Sequence, residues 1–156
     1  MEEYLEKGVL EHIHNLSGFD SMRIVALEPG RVVVKSKAHV GLENIYGNVH
    51  GGAIMLLVDM VASTAGYSCG KHVITLTSNT NFTRGLPIGD YDLKIVGEVV
   101  HNGRTTMVVE VKIYDGNGKE CVRNTSTMYV SKMVDPADGI LVAPGSYDCD
   151  HREEGE

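Results

Sequence analysis

Apolar residues open the chain at a spacing of three to four. Tyr4, Leu5, Val9, Ile13 and Leu16 fall near one face of a short amphipathic helix over residues 2–15. The period then shortens to two. "SMRIVALE" and "RVVVKSKA" flank Pro29-Gly30, and the alternation of Val32 and Val34 against Val33, Lys35 and Lys37 predicts a hairpin. A Gly- and Asn-rich loop spans residues 41–49. After it an almost unbroken apolar run, Ala53 to Ala65, predicts a long helix that starts near Gly51 and ends between Gly66 and Gly70. Strand-like segments follow at 73–83, 91–101, 104–114 and 120–132. Asn102-Gly103 marks a two-residue hairpin and Asp115-Gly116-Asn117-Gly118 a further turn.

The predicted order is therefore helix, two strands, an apolar helix, then four strands. Strands grouped in this way, not alternating with helices, indicate an antiparallel sheet in an α+β layer architecture. A helix that is apolar on all sides must be buried on nearly all of them. A curved sheet wrapped around it, helped by a second subunit, would achieve that.

Composition narrows the function. A chain of 156 residues suits one domain, taken as 1–132, with an acidic Gly- and Pro-containing tail over 133–156 expected to be loosely ordered. A formal charge of −7 offers no basic surface for nucleic acid. No apolar stretch reaches the ~18 residues of a membrane helix, and the charged start "MEEYLEKG" is unlike a secretory signal. Cys69, Cys121 and Cys149 are odd in number and lack metal-like spacing. The expected compartment is a reducing cytoplasm. The sequence implies neither a metal nor an organic cofactor.

One carboxylate interrupts the apolar helix: Asp59. A carboxylate held there is either satisfied by a partner or put to use as a general base or nucleophile, with desolvation raising its reactivity. No Lys or Arg stands within one helical turn of it. Upstream, "NVHGGA" places two glycines at the helix start, where free N–H groups and the helix dipole favour an anion or a developing oxyanion. The same glycines also permit tight packing of loop on helix. Gly51 and Asp59 are separated by roughly 12 Å of helix, too far to act on one carbonyl. If both act on one bond, they come from different chains across a two-fold axis.

The stretch "NIYGNVHGGAIMLLVD" resembles the signature of hotdog-fold acyl-CoA thioesterases of the phenylacetic-acid-degradation type. Asn44, Gly47, His50, Gly51, Gly52 and Asp59 match that family's pattern position by position. "TSNTNFTRGLPIGD" supports it through Phe82, Arg84, Pro87, Gly89 and Asp90, although Gly85 stands where Pro usually follows Arg. The resemblance covers about residues 5–132. It implies a hotdog fold and hydrolysis of an acyl-CoA or carrier-bound thioester. It further implies a homodimer or dimer of dimers, with coenzyme A present only as part of the substrate. By the same resemblance Gly51 N–H is the oxyanion donor. Asn44 and His50 line the site or hold the loop. Asp59 of the partner activates water or attacks directly, and Thr75 helps to place the water. Gly52, Phe82 and Arg84 belong to substrate binding, with Arg84 facing the phosphates and Lys35, Lys37, Lys112 and Lys132 as lesser candidates.

Other readings stay open on the residues alone. His50 lacks a Gly-x-Ser-x-Gly partner motif and is not read as part of a triad. His12 and His14 stand two apart on a helix and do not face each other. Cys69 reads as a small buried hydrophobe, and Met55, Leu56 and Leu57 as core. The functional rivals are a non-catalytic acyl-CoA-binding module and a hotdog hydratase or dehydratase.

Overall fold

The computed structural model describes residues 1–14, 21–38 and 41–137, without the side chains of residues 11–14. Leu16, Cys149 and nearly all of the acidic tail lie outside the described residues, as do the side chains of Ile13, His12 and His14. The elements are α1 (Glu3–His14), β1 (Arg23–Glu28), β2 (Arg31–Lys37), α2 (Gly51–Tyr67), β3 (Lys71–Phe82), β4 (Asp92–Asn102), β5 (Thr106–Tyr114) and β6 (Glu120–Met133).

The six strands form one sheet in the order β1-β2-β4-β5-β6-β3, and every neighbouring pair is antiparallel. The strand grouping along the chain thus gives the expected α+β hotdog arrangement, with α2 lying against the concave face. Val32 and Val34 of β2, Ile95 of β4, Val109 and Val111 of β5 and Val122 of β6 are fully buried. They meet Leu57, Val58, Val61, Ala62 and Ala65 of α2 in one core. Burial of each large aliphatic side chain contributes about 1.5–3 kcal/mol, so this contact holds the helix in the sheet.

Two expectations change in detail. The β4–β5 connection sits at Asn102-Gly103 but is longer than two residues, because Asn102 pairs with Met107 and Gly103 N–H donates to Thr106 O at 3.0 Å. A two-residue turn of the type that Asn-Gly favours needs left-handed backbone at both positions, and neither has it. The expected burial of α2 on all sides is also incomplete. The sheet covers one side, and Gly52, Met55, Leu56, Asp59 and Ser63 form a stripe on the other, with Met55 47% and Leu56 41% exposed. At the far end, β6 runs through Met133, and Val134 N–H reaches Gly70 O at 2.9 Å.

Candidate active site

The loop before α2 is a small hairpin of its own. Glu43 bridges Val49, and His50 N–H donates to Leu42 O at 2.6 Å. Asn44 Oδ1 accepts from the N–H groups of Tyr46 (2.9 Å) and Asn48 (3.2 Å), an Asx turn that fixes the tip. Gly47 supplies the left-handed residue (φ 73°) that the turn requires. The loop is stitched to the segment after β3 by Val49 N–H to Leu86 O (2.8 Å) and Ile88 N–H to Gly47 O (3.0 Å). Asn48 Oδ1 lies so near Gly85 that a Cβ there would stand 2.6 Å away. Gly85, where the resembling family carries Pro, leaves room for the Asn48 side chain.

His50 is the N-cap of α2. Its backbone is extended (φ −62°, ψ 136°) and its Nδ1 accepts the Gly52 N–H at 3.1 Å. That bond satisfies one of the orphan donors at the helix start. Gly51 N–H has no acceptor among the described residues, and so remains a free donor at the positive end of the helix dipole. The Phe82 ring lies beside it, 3.8 Å from the place a Gly51 Cβ would occupy.

Strand β3 runs antiparallel to α2 and supplies the facing wall: Phe82 opposite Gly51, Thr75 opposite Asp59, and Val73 against Gly66. Thr75 Oγ1 donates to Asp59 Oδ1 at 2.7 Å. Asp59 is half-buried on the open stripe of α2, and it forms no ion pair among the described residues. Its Oδ2 is left available. A β-bulge between Thr75 and Thr77 adds one residue to β3. The extra residue brings Thr75 and Ser78 onto the same concave face, although three positions apart in a regular strand would place them on opposite faces.

Four residues on that face escaped the sequence reading. Asn124 and Ser126 of β6 are fully buried and bond to Ser78 and Thr80 of β3. Their signal was available: polar side chains at 124 and 126 stand in phase with the apolar Val122, Met128 and Val130.

The candidate cations are less converging. Arg84 is exposed and its Nη1 lies 3.4 Å from Glu120 O, with no acidic side chain bonded. Lys37 is engaged by Asp90 (2.9 Å) and Asp92 (3.7 Å), and the Asp90 hydrogen bond raises its pKa. Lys112 stands 3.8 Å from Glu110. These two fit a solvated strand face. Cys69 is half-buried in the turn after α2, and burial pushes its thiol pKa up, which makes it a poor nucleophile. No group of acidic, His and Cys side chains among the described residues is arranged to hold a metal ion. An open cavity of about 410 Å³ is lined by Met1, Leu5, Pro29 and Cys69 among others, and one of about 310 Å³ by Pro87, Tyr91, Asp115, Gly116 and Asn117. Neither includes Asp59, Thr75 or Gly51.

Residues 46–122 match the family model described as the thioesterase superfamily. A solved structure of a hypothetical thioesterase with coenzyme A from Streptococcus pneumoniae is similar at 31% identity and TM-score 0.73, over 84% of this chain and 97% of that one. The same protein has also been solved with a single Asp or a single Thr replaced by Ala, the two positions lying sixteen apart. A Streptococcus mutans protein bound to acetyl CoA is 34% identical at TM-score 0.73, over 80% and 99% of the two chains. The PaaI protein of the Escherichia coli phenylacetic acid degradation operon shares the fold at 20% identity, TM-score 0.76, over 84% and 96%.

Proposed function

The chain belongs to the thioesterase superfamily, and from that membership we propose that it hydrolyses an acyl-CoA or related thioester to free acid and thiol. The observation that carries the reading is the 2.7 Å bond from Thr75 to Asp59 on the open stripe of α2. With Oδ1 held by the threonine hydroxyl, Oδ2 is oriented to take a proton from water as that water attacks the thioester carbonyl. The Gly51 N–H stabilises the oxyanion that forms. A thiolate is a good leaving group, so base and oxyanion donor suffice and no metal or organic cofactor enters the scheme. His50 and Asn44 hold the loop and so position Gly51. Gly52 and Phe82 flank the carbonyl, and Arg84 faces the coenzyme phosphates.

The roughly 12 Å of helix between Gly51 and Asp59 requires two chains per site. The half-exposed Met55 and Leu56 and the unpaired edge of β3 support a second copy packing there. We take the assembly to be a homodimer or dimer of dimers. The coenzyme bound to the streptococcal thioesterase supports a CoA substrate, and the Asp and Thr exchanged in its variants have the same sixteen-residue separation as Asp59 and Thr75. A non-catalytic binding module would have no use for a threonine aligning a carboxylate.

The test is thiol release from a panel of acyl-CoAs. Asp59→Asn should abolish hydrolysis while acyl-CoA binding persists. Mixed and re-annealed with Gly51→Val, it should recover about one quarter of wild-type activity, because each heterodimer rebuilds one intact site. Flat traces across phenylacetyl, short, medium and long acyl chains would overturn the thioesterase reading, and failure of the mixture to recover would overturn the shared site.

A further inference from the structure

Along β5 and β6 the concave floor of the sheet is apolar except in one place. Val109, Val111, Ile113, Val122 and Met128 are fully buried aliphatic or thioether side chains, yet between Val122 and Met128 the floor presents Asn124 and Ser126, each 0% exposed. Burying such groups is costly unless each is paired, and the pairing here is directed at the edge strand. Asn124 Nδ2 reaches Ser78 Oγ (2.8 Å), Thr80 Oγ1 (2.9 Å) and the Asn79 carbonyl (3.0 Å). Ser126 Oγ lies 2.8 Å from Asn124 Oδ1 and 3.2 Å from Ser78 Oγ.

The network leaves one hydroxyl hydrogen over. The two amide hydrogens of Asn124 are shared among three acceptors. The Ser126 hydroxyl donates to Asn124 Oδ1, and the Ser78 hydroxyl then donates to Ser126. Thr80 accepts from Asn124, but its own hydroxyl hydrogen finds no acceptor among the described residues. Thr80 is half-buried, on the wall that faces the open stripe of α2. A strut for an edge strand needs none of this, since apolar side chains of the same shape hold a strand about as well. Thr80 also stands two residues from Phe82, about 7 Å along the strand, and the Phe82 ring lies against Gly51.

We propose that Thr80, backed by Ser78, Asn124 and Ser126, selects the acyl group. Its hydroxyl donates to an oxygen carried on the acyl group beyond the Phe82 ring from the thioester carbonyl, so the substrate is an oxygen-substituted acyl thioester instead of a plain hydrocarbon one. The inference rests on the thioesterase reading, which sets the carbonyl at Gly51. A site built to hydrogen-bond a substituent rejects the analogue that lacks it, because the site's own polar group is then left unpaired.

The experiment compares kcat/KM for 4-hydroxyphenylacetyl-CoA against phenylacetyl-CoA, and 6-hydroxyhexanoyl-CoA against hexanoyl-CoA. It uses the wild-type protein, Thr80→Val and Thr80→Ser, and measures binding of the same four compounds to the Asp59→Asn protein, with and without Thr80→Val, by calorimetry. In at least one pair the wild type should favour the oxygenated member by about tenfold or more. Thr80→Val should bring that ratio near one, and Thr80→Ser, which keeps the hydroxyl, should restore it. Turnover without selectivity in either pair, or selectivity that survives Thr80→Val, overturns the inference and leaves the thioesterase reading standing. No turnover, with binding that still selects the oxygenated member through Thr80, overturns the thioesterase reading and keeps the site. Absence of both turnover and selective binding overturns the two together.

Discussion

Replacing Thr75 by Val removes one hydroxyl and keeps the shape of the side chain. The lost interaction is a hydrogen bond of 2.7 Å to a carboxylate oxygen. Bonds to charged groups contribute about 1.5–3 kcal/mol. Asp59 is only half-buried, so water takes over part of the role, and the expected loss in transition-state stabilisation is about 1–2 kcal/mol, or roughly 5- to 30-fold in rate. The loss should fall on kcat, because in the proposed scheme Thr75 acts on the base and not on the leaving coenzyme. Thr75→Ser keeps the donor and should stay within about threefold of wild type. Initial rates of thiol release at saturating and limiting acyl-CoA separate kcat from KM. If Thr75→Val turned over as fast as wild type while Asp59→Asn was inactive, the hydrogen bond would be incidental and Thr75 would have no part in base catalysis.

Three further outcomes follow from other contacts. His50→Ala removes the cap of α2 and should lower stability by about 1 kcal/mol, with His50→Asn retaining most of it, as read by urea denaturation monitored by circular dichroism. Gly85→Ala drives a Cβ to 2.6 Å from Asn48 Oδ1 and should displace the 41–49 loop, so thiol release should fall even though position 85 is no part of the chemistry; unchanged kinetics would show the loop to be more accommodating than drawn. The Arg23 guanidinium, bonded to Asp92 at 2.5 Å, holds that carboxyl below its usual 3.8. Its contribution to stability is complete above that value and is lost as pH falls through the lower folded-state pKa, so Arg23→Gln should move the acid-unfolding midpoint to higher pH in a circular dichroism titration.

Most of the fold was legible because its signals are local and strong. The almost unbroken run from Ala53 to Ala65 lies where α2 is found, and the period-two segments fall within two residues of β3 to β6, with the end of β5 and the start of β6 agreeing outright. The family pattern from Asn44 to Asp59 was likewise contiguous in sequence. What sequence left hidden depends on pairing between distant segments. The bulge beside Thr75 is set by the register of β3 on β6, and nothing in "ITLTSN" announces it. Asn124 and Ser126 look like ordinary strand residues until β3 is laid beside them. Hydrophobicity alone assigns Met55 and Leu56 to the core, yet they stand on the open stripe, since apolar character does not say which face the sheet will cover.

The bond between His50 and Gly52 turns the imidazole into a built-in indicator. Because Nδ1 accepts, the neutral ring carries its proton on Nε2. The two ring nitrogens should therefore give well-separated nitrogen-15 signals whenever the helix start is intact, and drift toward the averaged pattern of a free imidazole when it frays. Magnetic resonance on a histidine-labelled sample can thus watch the start of α2, where the proposed oxyanion donor stands, assemble or come apart with no substrate present.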